Sequence, residues 1–132
     1  FNLIGDGDQA RCLANAAARL RPGGAVVVEA FVPDPDAFAS DAVTTRRVTA
    51  DQVVLSVSRS DPATQEALGQ YVDITEAGIK LRPWHIRWST PAQLDEMAAA
   101  VGLALQHRWA DWAGTAWSDD APAHVSVYRR GG

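Results

Sequence analysis

Near the start of this chain a helix is made to stop and a strand to begin within five residues. Cys12, Leu13, Ala16, Ala17 and Leu20 recur at helical spacing and share one face, with Arg11, Asn15 and Arg19 turned away. Pro22 blocks further helix, Gly23 and Gly24 permit a left-handed exit, and Ala25-Val26-Val27-Val28-Glu29-Ala30-Phe31 follows as a β-branched run. A run that is apolar on both faces suits an inner strand of a covered sheet. Asp6 and Gln9 can cap the helix, and Gly5-Asp6-Gly7 reads as its entry rather than as a phosphate loop, because no complete strand precedes it. Cys12, on the apolar stripe, is expected to be a buried, inert thiol.

Val32-Pro33-Asp34-Pro35-Asp36 ends the strand, since prolines cannot donate to a ladder and aspartates favour turns. The middle of the chain then changes character. Residues 46–49, 52–59, 70–75 and 79–88 read as short strands separated by turn residues, which predicts an antiparallel meander. Ile79 and Leu81 hand over to Trp84, Ile86 and Trp88 across Pro83, a change of parity that predicts a bulge there. Thr90-Pro91-Ala92-Gln93 is a helix start with cap, first-turn proline and returning glutamine. Leu94, Met97, Ala98 and Val101 form that helix's core stripe, Gly102 ends it, and strands over 103–109 and 124–129 close the chain.

Composition narrows the function. The chain has 132 residues and a net charge of −4, and its scattered arginines make no basic stripe, which argues against nucleic acid as a partner. No apolar segment approaches membrane-spanning length, and one cysteine with no signal-like start fits a reducing cytoplasm. Three dispersed histidines show no zinc-ligand spacing, so no metal is expected, and no serine sits in a nucleophile elbow.

Leu20-Arg21-Pro22-Gly23-Gly24 with its strand resembles the segment between the fourth and fifth strands of class I S-adenosylmethionine-dependent methyltransferases, and Phe1-Asn2-Leu3-Ile4 resembles the stretch after their fourth strand. The Pro-Asp loop, the meander, the Thr-Pro-capped helix and the closing His124-Val125-Ser126-Val127-Tyr128 strand follow in the family's order. The resemblance implies an α/β fold, the C-terminal half of a Rossmann-like methyltransferase sheet with an antiparallel lid insertion. It divides the chain into helix and central strand (1–36), lid (43–89) and helix with closing strands (90–132). The family's GxGxG loop is absent, so the chain is read as beginning inside a longer polypeptide, with Phe1 and Asn2 near S-adenosylmethionine at most.

On that reading the chain belongs to an enzyme acting on a small-molecule acceptor and is inactive as this piece alone. Phe31 becomes a candidate lining residue because ligands of open α/β sheets sit beyond the carboxyl ends of strands. Tyr71, His85 and Arg87, interleaved with the lid's apolar residues, become candidate acceptor contacts, although His85 also suits a solvated strand face and Arg87 is expected to stack between Trp84 and Trp88. No catalytic residue is singled out. A first half removed from the sheet would leave the Val-rich strand with an open edge, which predicts a homodimer or strand-exchanged assembly. The rival reading is a noncatalytic small-ligand or dimerisation module.

Overall fold

In the computed structural model, which describes residues 2–34, 36 and 41–132, the junction at Leu20 is built as its residues require. Helix α1 (Asp8–Arg19) starts at Gly7, whose φ of 69° is left-handed, and no side chain caps it. At its other end the Arg130 guanidinium donates to the carbonyls of Ala17 (2.8 Å) and Leu20 (2.6 Å), placing a cation on the negative end of the helix. Gly23, at φ 73°, turns the chain into β1 (Ala25–Phe31).

The chain forms two units, 1–33 with 88–132, and 34–87. In the first, β1, β6 (Leu103–Trp109) and β7 (Ala123–Arg130) make a sheet in the order β1-β7-β6, with β7 antiparallel to both neighbours. Helix α2 (Pro91–Ala99) carries the expected capping box: Gln93 N–H donates to Thr90 Oγ1 at 3.3 Å, and Thr90 N–H donates to the Gln93 side chain at 2.9 Å. Leu13 and Ala17 of α1, Leu94 and Ala98 of α2, and Val28, Leu103 and Tyr128 of the sheet form one core.

Three local expectations need correction. Cys12 is exposed. Only Leu13 and Ala17 of the predicted stripe are buried, together with Gln9, whose side chain accepts from Ser89. Cys12 and Ala16 instead look across a groove of about 300 Å³ bounded by Val26 to Glu29. The reason lies in β1: it is an edge strand, pairing only with β7 among the described residues, so half of the helix stripe overhangs an uncovered edge. This is the open edge expected of a sheet without its first half, and Val27 is 48% exposed. In β6, where Leu103, Leu105, His107 and Trp109 are expected to alternate with Ala104, Gln106 and Arg108, a register shift between Leu105 and His107 breaks the pattern and turns Arg108 inward.

The second unit is the predicted meander, β2 (Ala42–Val48), β3 (Gln52–Asp61), β4 (Glu66–Thr75) and β5 (Gly78–Arg87), in sequential antiparallel order. Its first three strands are longer than the sequence reading made them. The predicted bulge at Pro83 is absent: β4 and β5 stay in register from Glu66↔Arg87 to Thr75↔Gly78, with Pro83 opposite Gln70, and the irregularity falls between Thr45 and Arg47. The parity change is real but has another cause. Ile79 and Leu81 lie on one face of β5 and Trp84 and Ile86 on the other, so both faces carry apolar side chains, and proline is tolerated because β5 is an edge.

Gly69 is the tight point of this sheet. A Cβ there would meet the Val57 carbonyl oxygen at 2.4 Å and the Trp84 ring at 2.6 Å. Gly69→Ala is expected to cost about 2 kcal/mol by overpacking, read as a lowered urea midpoint with unchanged slope. An unchanged midpoint would show that both the β3 backbone at Val57 and the Trp84 ring can give way.

Candidate functional site

Strands β1 and β6 run parallel and end at Phe31 and Trp109, and β7 begins between them. This is the end of an open α/β sheet where ligands bind. The sequence reading placed only packing in β7, yet His124, Ser126 and Tyr128, the residues on its core face, are all without solvent exposure.

They belong to one network. Asp95, in α2, receives two hydrogen bonds from Arg108, at 2.6 and 3.2 Å, and one from the Tyr128 hydroxyl at 2.7 Å. Arg108 also donates to Tyr128 Oη at 3.1 Å and, through Nε, to Ser126 Oγ at 2.8 Å. Ser126 Oγ is in turn 2.8 Å from His124 Nδ1, while His124 Nε2 is buried with no partner among the described residues. Trp117 stands edge-on to the imidazole, ring centres 5.9 Å apart, and the Arg108 guanidinium lies 5.7 Å from the centre of its ring.

Burial, reinforced by the Arg108 charge and opposed by Asp95, pushes the His124 pKa down to about 4, so the ring is uncharged at neutral pH. Burial also raises Tyr128 to about 12, helped by its hydrogen bond to Asp95. The signal for this cluster was present in the sequence as three polar residues at core parity in a valine strand. What hid it was the β6 irregularity, which alone brings Arg108 to meet them.

The predicted site residues are not gathered in one place. Phe31 ends β1, half-buried and opposite Ala123, and Asn2 is half-buried. Phe1 lies outside the described residues. Tyr71 shares a face of the meander with Trp84, ring centres 6.3 Å apart, whereas His85 and Arg87 lie on the opposite face. Arg87 donates to Glu66 Oε1 at 2.6 and 3.2 Å, and His85 Nε2 lies 3.1 Å from Glu66 Oε2. These hydrogen bonds, Arg87's before His85's, hold the Glu66 carboxyl below the usual carboxylate range. The cross-strand acid gives Arg87 a charge-assisted hydrogen bond that the sequence reading did not include.

Among the described residues no cluster of histidine, cysteine and carboxylate side chains could hold a metal ion, and no helix is long and apolar enough to cross a membrane. On the opposite, helix-free side of the three-stranded sheet, Val27, Val125, Val127, Trp109 and Trp112 line a groove of about 240 Å³.

A three-stranded edge of α/β sheet interrupted by an antiparallel meander is the fold of about half of an S-adenosylmethionine-dependent methyltransferase. The whole chain superposes on the CcbJ methyltransferase of Streptomyces caelestis with 32% identity and a TM-score of 0.90, covering 53% of that protein. A methyltransferase of Clostridium acetobutylicum has the same fold at 7% identity and a TM-score of 0.80, with 98% of this chain and 54% of that one covered. CalS10 of Micromonospora echinaspora, an amino pentose methyltransferase, follows at 20% identity and a TM-score of 0.65, with 97% and 52% covered. The chain thus spans about half the length of the solved proteins it matches. No protein-family model and no curated protein matches the sequence.

Proposed function

We propose that this chain is the carboxy-terminal part of a cytoplasmic S-adenosylmethionine-dependent methyltransferase acting on a small-molecule acceptor, and that it does not transfer methyl groups by itself. The observation that carries this reading is the superposition of every part of the chain on half of the CcbJ enzyme at 32% identity. The acceptor class is supported by the amino pentose and sugar N-methyltransferases among the similar folds.

S-adenosylmethionine brings the activated methyl group. The residues present do not make its cradle, because the positive-φ glycine at position 7 opens α1 without a strand before it, and no other described strand passes through a glycine-rich turn into a helix. What this chain contributes is position. A helix-braced strand ending at Phe31 fixes an acceptor's approach, and in-line placement is the main source of rate in such transfers. Of the meander residues, Tyr71 is the better acceptor contact, since His85 and Arg87 both engage Glu66. The polypeptide extended upstream to the length of its relatives is expected to move isotopically labelled methyl from S-adenosylmethionine to an amino pentose, and the chain alone to move none. Labelled product from the chain alone would contradict the division of labour.

A dimerisation role has its own support. The β1 edge is open, and the meander face bearing Val43, Val57, Leu68, Ile79 and Leu81 leaves each of these more than a third exposed. Unpaired edges and apolar patches recruit other chains. Light scattering at micromolar concentration is expected to give the mass of a homodimer or strand-exchanged pair, and a stable monomer would argue against it.

A further inference from the structure

The hydrogen-bond chain ending at His124 has a direction. Arg108 can only donate, so its Nε–H occupies one acceptor position on Ser126 Oγ. The Ser126 hydroxyl has no solvent exposure and still has a proton to place, and His124 Nδ1 at 2.8 Å is the acceptor within reach. The imidazole is therefore the Nε2–H tautomer. The other tautomer would strand both the serine proton and the Nε2 lone pair, two buried unsatisfied groups instead of one. The atom left over is a fully buried N–H, without a partner among the described residues, at the end of the sheet where β1 and β6 finish.

We propose that His124 is a positioning residue whose Nε2–H donates to a carboxylate, carbonyl or hydroxyl oxygen of a small molecule bound at this end of the sheet. It does not serve as a proton acceptor, because its one basic nitrogen is engaged by Ser126. The inference rests on the methyltransferase reading for the identity of that molecule and on the hydrogen-bond chain alone for the tautomer. Trp117, edge-on to the ring in the irregular connection 110–122, is the side chain an incoming oxygen displaces. Connections of this kind supply the mobile parts of many sites. Ser126 acts through His124 by keeping the donor pointed, and Asp95 acts by holding Arg108 against Ser126.

Two arms test this. Long-range nitrogen–proton NMR of the chain is expected to show His124 as the Nε2–H tautomer, and a Ser126→Ala variant to show a mixture; an Nδ1–H signal in the unaltered chain would overturn the proposal. In the upstream-extended polypeptide, calorimetry with S-adenosylmethionine and with an amino pentose as separate probes is expected to show about a tenfold loss for one of them in His124→Leu, the equivalent of one hydrogen bond. His124→Gln, which retains a donor near the same place, is expected to stay within about threefold. Loss for the first probe assigns the oxygen to the sulfonium cofactor, and loss for the second assigns it to the acceptor. Equal affinities for both probes in folded His124→Leu would refute the role in binding. If the unaltered polypeptide bound neither probe, the methyltransferase reading would fall and the ligand role with it, while the NMR result would still decide the tautomer.

Discussion

Lowering the pH from 7 to 4 is expected to remove about 3 kcal/mol of stability from the α/β unit through one residue, His124. Its imidazole titrates near 4 when folded and near 6.5 when unfolded, so between those values the unfolded chain binds the extra proton. Stability is complete above about pH 6.5, falls with pH through the window, and stops changing on this account below about 4. Asp41, Glu66, Asp73 and Asp111, all held low by hydrogen bonds, lose their contributions as pH falls further, starting near the lower end of the window. Urea titrations of the chain and of His124→Gln across pH 4 to 7 separate the two effects. The variant's profile should be nearly flat above pH 5, and an equally steep fall in both would assign the slope elsewhere. At the alkaline end Tyr128 mirrors this behaviour: its folded value of about 12 against 10 unfolded means that stability declines as pH rises past 10.

The second large effect is expected at Arg108. Its side chain is only 11% exposed, and it holds Asp95, Ser126 and Tyr128 together. Arg108→Ala should cost about 3 kcal/mol, because it leaves the partly buried Asp95 carboxylate with only the Tyr128 hydroxyl and the buried Ser126 hydroxyl without its donor. Asp95 is 34% exposed, so water relieves part of the penalty on its side, and Asp95→Ala should cost less, about 2 kcal/mol. The two changes share one network, so the double variant should fall well short of their sum. Additive losses would mean that the pair contributes little beyond what each side chain does separately.

How much of this could be read in advance depended on whether the controlling interaction was local. The Leu20 to Phe31 junction, the Thr90 cap and the meander were legible because proline, glycine and cap residues act within a few positions. Even the open edge of β1 followed, once the chain was recognised as half of a sheet. The failures were nonlocal. Cys12 was assigned to the interior because periodicity shows which side chains share a face but not how much of that face is covered. The pairing of Arg87 with Glu66 was not foreseen because the two residues are 21 positions apart in sequence. The His124 network needed a register shift in β6 that no residue type announces, and Pro83, the one residue that did suggest a bulge, sits on an edge where none is required.

The central claim is that this chain supplies the acceptor side of a methyltransferase and leaves the grip on S-adenosylmethionine to residues upstream of it. Calorimetric titration with S-adenosylmethionine tests it most directly, made on the chain alone and on the polypeptide extended to the length of its relatives. Saturable one-to-one binding by the longer form and no heat from the shorter is the predicted result. A longer form that is folded yet binds no S-adenosylmethionine would contradict it.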